Sequence, residues 1–317
     1  MTLVVKSYPL NPTIMTTIKT ANVSWIDIKE PSPKELKYLA DTYNIHPLII
    51  EELKTPTVRS RAEDYNGYIY LVVHFPVFNP AKKVSEPVEI DFVITPDTLI
   101  TVRYAEIEPL DEFIKKCKVP QGAFRKNVLS KSSIYLFYYL MKEMHNFSQR
   151  QLDHIEEKIN QIEEAIFAGQ EKQMLFALSL ARSDILIFLR TFRPQGTILE
   201  SLLAHSDIFE TKAKPYITDL AGEHQRVLNQ AENHREIIEG LQATNESLLN
   251  AKTNEIMKVL TIITFTILPL SLLTSIFGMS SGKIPLVDQP NFFWIIITIM
   301  ASIVIISLSI FKHKKWL

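Results

Sequence analysis

Two uncharged apolar runs near the end of the chain constrain it more than any other feature. Residues 259–277 read VLTIITFTILPLSLLTSIF and residues 292–311 read FFWIIITIMASIVIISLSIF. Each has the length a helix needs to cross a hydrocarbon core of roughly 30 Å. Two such runs joined by a short connector predict a membrane hairpin rather than a pair of buried soluble helices. Pro269 does not oppose this, because neighbouring helices in a membrane re-satisfy a freed carbonyl. Lys252 and Lys258 precede the first run, and Lys312, His313, Lys314 and Lys315 follow the second. The connector, MSSGKIPLVDQPN, carries only Lys283 and Asp288. This asymmetry predicts both chain ends on the cytoplasmic side of the plasma (inner) membrane. Trp294 and Trp316 suit interfacial anchoring.

The preceding 258 residues read as soluble. Charge over the whole chain is nearly balanced, 34 Lys+Arg against 35 Asp+Glu, which leaves no nucleic-acid footprint. The single cysteine, Cys117, excludes an internal disulfide and reads as a small inert hydrophobe. The opening MTLVVKSYPL lacks the pattern of a signal peptide. Residues 1–128 predict a mixed α/β domain, with strand-like runs at 14–19, 23–28, 68–78, 89–95 and 98–103. Helices are expected after Ser32-Pro33, at 46–53 and at 108–118. No Gly-rich phosphate loop, G-x-S-x-G or H-E-x-x-H occurs, and no catalytic constellation is visible, so an enzyme is not expected.

From residue 129 to 258 the texture is that of a long-helix stalk, with helices expected at about 131–168, about 171–204, and from near Lys212 onward. The last runs unbroken into the first membrane span, a rod of roughly 100 Å at 1.5 Å per residue. Its seam follows three- and four-residue steps through Ile217, Leu220, His224, Val227, Ala231, His234, Ile238, Leu241, Asn245 and Leu248. The polar members of that seam suit register control or partial solvation better than ligand binding, since His224 and His234 are ten residues apart. The acidic run Asp153, Glu156, Glu157, Glu163 and Glu164 reads first as a solvated face, with cation enrichment as the alternative.

The same rhythm continues through Asn254, Met257, Thr261, Thr264, Leu268, Ser271, Ser275 and Gly278. Such a polar stripe serves either as helix–helix contact or as a water-lined pore wall. Two spans cannot enclose an aqueous path alone, so a pore needs several copies around an axis.

At the end of the stripe stands FGMSSGKIPL, and here the chain resembles the CorA family of magnesium transporters, marked by Gly-Met-Asn at the end of the first of two C-terminal spans. The run TNEIMKVLTIITFTILPLSLLTSIFGM, the tail KHKKWL, Trp25-Ile26-Asp27, Pro31, His46-Pro47-Leu48 and Glu51-Glu52 all match family landmarks. The resemblance implies an α+β cytoplasmic domain, a long helical stalk and two C-terminal transmembrane helices (residues 259–317), assembled as a homopentameric funnel. It implies a channel or transporter for divalent cations, Mg2+ first and Co2+ or Ni2+ as well. Pore constrictions fall on Asn254, Met257, Leu260, Leu268 and Ser271, and the outer signature on Gly278, Met279 and Ser280. Lys258, Lys312, Lys314 and Lys315 are placed around the cytoplasmic mouth. Intracellular Mg2+ is expected to regulate through Asp219, paired across subunits with Glu86, Glu89 or Asp91; no other cofactor is implied. Ser280 replaces the family's Asn, and Leu286 stands where family loops carry Glu. These departures keep two alternatives open: a Zn2+ or other cation transporter of the ZntB type, and a membrane-anchored sensor or scaffold without conduction.

Overall fold

The computed structural model describes residues 14–65, 67–119, 122–205, 209, 213–278 and 291–314. The chain folds as two compact units, Met1–Gln242 and Ala243–Leu317.

The first unit is built on a sheet. Strands β1 (Ile14–Lys19) and β2 (Ser24–Lys29) are followed by helices α1 (Pro33–Tyr43) and α2 (Pro47–Glu52). Strands β3 (Arg61–Tyr65), β4 (Tyr68–Asn79), β5 (Val84–Ile94) and β6 (Thr98–Arg103) complete a six-stranded sheet of order β1-β2-β6-β5-β4-β3. The β2–β6 pair is parallel and the other four are antiparallel. Alternation along β4 feeds two cores. Ile69, Leu71, Val73 and Phe75 join the core shared with α3 (Glu108–Lys118) and α5 (Ser133–Phe167), whereas Tyr68, Tyr70 and Val72 pack with α1 and α2. Helix α1 starts where Ser32-Pro33 predicts it: Ser32 and Glu35 form a reciprocal capping box, with Pro33 in the first turn.

The remaining helices are α4 (Ala123–Val128), α6 (Glu171–Phe192), α7 (Gln195–Ala204), α8 (Lys214–Gly278) and α9 (Phe292–His313). Three local expectations fail for identifiable reasons. Strand β3, RAEDY, gives no strand signal because it is mostly charged, a composition common at a sheet edge. Strand β5 begins at Val84 rather than 89, extending past Pro87, which lies opposite Pro76. The helix expected over 171–204 is divided. Pro194 has no N–H for the carbonyl of Arg190, so α6 stops at Phe192 and α7 restarts at Gln195.

Along α8 the expected seam is buried from Ile217 through Leu241. Its histidines serve packing rather than solvation. His224 stacks on Phe192 with ring centroids 4.7 Å apart, and a Cβ on Gly196 would lie 3.1 Å from its Nε2. His145 of α5, 6.1 Å from the His224 ring, donates from Nε2 to Gln195 Oε1 at 3.2 Å. Burial, reinforced by His224, pushes His145 down to about 3, and burial alone pushes His224 to about 4. Both are neutral imidazoles in a core at physiological pH.

Candidate functional site

In the second unit α8 remains helical up to Gly278, through Pro269. At 3.6 residues per turn, Asn254, Met257, Leu260, Thr261, Thr264, Leu268, Ser271, Ser275 and Gly278 fall within an arc of about 120°. All but the half-buried Thr261 are exposed. The half-buried positions Ile262, Thr266, Pro269, Leu273 and Phe277 repeat at three or four residues on the opposite side. A matching half-buried strip, Ile296, Met300, Ile303, Ser307 and Phe311, runs along α9, and Phe265 meets Phe311 with ring centroids 6.5 Å apart. The polar stripe therefore lies on the side of α8 that α9 does not cover.

The hydroxyls have a defined polarity. Thr261, Thr264 and Ser271 donate to the carbonyls of Met257, Leu260 and Ile267 at 2.7, 2.8 and 3.1 Å. With the proton committed to the backbone, each oxygen turns its lone pairs outward. Such an oxygen accepts hydrogen bonds from water, including water held by a cation. Leu260 and Leu268 alternate with these groups along the arc and are exposed apolar side chains. Gly278 is exposed, and a Cβ there would meet nothing within 4 Å. Lys258, Lys312 and Lys314 are exposed beyond the ends of the apolar runs. Met279, Ser280, the rest of the connector as far as residue 290, and Lys315 lie outside the described residues.

Asp219 and the three carboxylates among which its partner is expected, Glu86, Glu89 and Asp91, separate into two kinds. Glu89 and Asp91 are buried, at 4% and 1% exposure. Glu89 accepts from the Thr57 N–H at 2.6 Å and lies 3.0 Å from His74 Nε2. Asp91 accepts from the Tyr70 and Tyr104 hydroxyls at 3.1 and 2.7 Å. Burial, with Glu89 adding to it, pushes Asp91 up to about 7. Burial opposes a charge on His74, but Glu89 and the Thr57 carbonyl together raise its pKa.

Glu86 and Asp219 are reachable from solvent and already paired. Glu86 bonds Lys82 and accepts from Asn79 Nδ2 at 2.7 Å, and Lys82 followed by Asn79 holds its carboxyl below the usual range. Asp219 Oδ2 accepts from Tyr138 at 2.8 Å and from Lys142 Nζ at 3.4 Å. The Tyr138 hydroxyl first, and Lys142 second, hold Asp219 below the usual carboxylate range. Hard carboxylate oxygens suit Mg2+. Within one chain, though, both accessible carboxylates have a lysine as counter-ion. Sequence reasoning missed Tyr138 and Lys142, since nothing local ties α5 positions to one some eighty residues later.

The family described as CorA-like Mg2+ transporter protein matches residues 20–313. The chain belongs to this family. Its members are ion transporters rather than enzymes. The chain is 24% identical to the cobalt/magnesium transport protein CorA of Thermotoga maritima, over 93% of this chain and 83% of that protein. Its fold is similar to that of the CorA magnesium transporter of Methanocaldococcus jannaschii, with a TM-score of 0.75 at 22% identity, covering 93% and 92% of the two chains. It is also similar to the full-length CmaX protein, with a TM-score of 0.73 at 20% identity over 93% and 89%. An N-terminal α/β domain, a long helix and a C-terminal apolar helix are common ground with this CorA fold, and the chain is a membrane protein.

Proposed function

We propose that this chain assembles as a homopentamer around a central path lined by the α8 stripe and conducts divalent cations, Mg2+ foremost and Co2+ and Ni2+ as well. The observation that carries the reading is the placement of Asn254, Met257, Thr264, Leu268, Ser271 and Ser275 on the side of α8 left open by α9. Copies arranged with those sides inward bury them against a shared axis and leave α9 toward lipid.

Mg2+ loses its waters reluctantly, so the ion passes with much of its hydration shell. Outward-facing hydroxyl oxygens accept from those waters, and rings of Met257, Leu260 and Leu268 form the hydrophobic gates. In this reading residues 1–128 and 129–258 are the cytoplasmic domain and stalk, both termini are cytoplasmic, and Lys258, Lys312, Lys314 and Lys315 surround the inner mouth. Gly278, Met279 and Ser280 form the outer mouth. Cytoplasmic Mg2+ regulates at Asp219, with Glu86 of a neighbouring copy as the accessible partner.

Purified protein in lipid vesicles, loaded with a Mg2+-sensitive dye, tests this. Uptake of Mg2+, Co2+ or Ni2+ above that of empty vesicles is expected, and its absence overturns the reading. Ser280 in place of Asn favours a second reading, Zn2+ transport of the ZntB type. Zn2+ uptake that exceeds Mg2+ uptake and follows a proton gradient selects it. Transport appearing only after Ser280→Asn selects a non-conducting sensor.

A further inference from the structure

The carboxylate at Asp219 is occupied by the chain itself. Lys142 Nζ lies 3.4 Å from Asp219 Oδ2 and 3.2 Å from the Tyr138 hydroxyl oxygen, and it stands 5.5 Å from the Tyr138 ring centroid. Tyr138 in turn donates to the same Asp219 oxygen at 2.8 Å. Three groups thus close a small ring in which the ammonium takes the place of a bound cation. The arrangement is wet: side-chain exposure is 39% for Lys142 and 48% for Asp219. The other accessible carboxylate, Glu86, repeats the pattern with Lys82.

Resting on the reading of Asp219 as a regulatory site, we infer that Lys142 is a tethered counter-ion that a divalent cation must displace, so that Lys142 sets the concentration at which the cytoplasmic side senses Mg2+. A lysine ammonium is a compact point charge on a flexible stem, and it can swing away without unfolding α5. While it stays, it neutralises the carboxylate and repels a second cation. Solvent screens a pair this exposed, so the expected effect of removing the ammonium is about tenfold in affinity rather than thousandfold.

Calorimetric titration of the full-length protein with MgCl2 tests the inference. Lys142→Met is expected to bind Mg2+ about tenfold more tightly than the unsubstituted chain, and Lys142→Gln to do the same if methionine perturbs folding. Lys142→Arg keeps the charge and should leave the affinity near its original value. The gain should vanish when Asp219→Asn is added to Lys142→Met, which separates this site from binding in the pore. Equal affinity with and without Lys142 overturns the inference, while the regulatory reading stands if Asp219→Asn still removes a binding event. No Asp219-dependent event in any of these proteins overturns both.

Discussion

Thr264 and Thr266 offer a comparison in which chemistry is constant and only the face of the helix changes. Both are on α8 within the membrane span, and both donate to the carbonyl four residues earlier at 2.8 Å. Two residues of α-helix rotate the side chain by about 200°, so Thr264 lies in the uncovered stripe and Thr266 toward α9. Valine keeps the shape of threonine and removes the oxygen. At Thr266 the loss is one back-bonded hydroxyl beside a neighbouring helix, a small change. At Thr264, in the proposed assembly, every copy around the axis loses an acceptor for the water carried by a passing ion. A neutral hydrogen bond contributes about 1 kcal/mol net. If two such contacts act on the ion at its highest barrier, the loss is about 2 kcal/mol, or roughly thirtyfold in rate. Initial Mg2+ uptake by vesicles with matched protein content should therefore fall by one to two orders of magnitude for Thr264→Val and stay within about twofold for Thr266→Val. Equal uptake by the two variants, or greater damage at Thr266, would refute the assignment of the stripe to the ion path.

Two further outcomes concern the N-terminal unit. Arg103, 5% exposed, bonds Asp27 through Nε at 3.2 Å and Nη2 at 3.1 Å, so Arg103→Met leaves a buried carboxylate with the Thr101 hydroxyl at 2.7 Å but no counter-ion and should cost about 3–5 kcal/mol in denaturant unfolding near pH 8. Burial already raises the Asp27 pKa against the pull of Arg103, and a raised carboxyl stabilises at low pH and loses that contribution as pH rises, so the deficit should shrink at pH 5. His145, pushed down to about 3 by burial and by His224, takes up a proton on unfolding once pH falls below about 6.5. Stability should decline from there toward pH 3, and His145→Gln should flatten that decline by up to about 1.4 kcal/mol per pH unit, measured by unfolding at pH 6, 5 and 4.

What could be read from the chain alone was periodic. The three-four rhythm of α8 was legible because one side of a helix must be apolar to pack, and the residues from Ile217 to Leu241 are buried as that rhythm requires. Continuation of the same rhythm past Asn254, now in hydroxyl and amide side chains, marked the stripe, although only the half-buried strip centred on Thr266 and Leu273 reveals which side α9 takes. Patterns fail where composition and position disagree. Strand β3 is charged because it lies at an edge, and the stretch 171–204 has the pattern of one continuous helix until the missing donor of Pro194 is weighed against its apolar neighbours. The ring of Tyr138, Lys142 and Asp219 had no sequence signal, because it joins α5 to α8 through tertiary packing. The burial of Glu89 and Asp91 was equally hidden: strand alternation places them on one face of β5 but does not say that Thr57, His74 and two tyrosines close over them.

The most direct test is thiol accessibility in the lipid-embedded protein. The native thiol, Cys117, is buried and pushed up to about 12 by that burial, so it contributes little background. Single cysteines placed at Thr264, Leu268, Ser271 and Ser275 should react with a charged, membrane-impermeant thiol reagent, whereas cysteines at Ile262, Thr266 and Leu273 should not. Fast labelling of the second set with silence in the first would mean that the stripe meets protein or lipid instead of water, and no cation path could run along it.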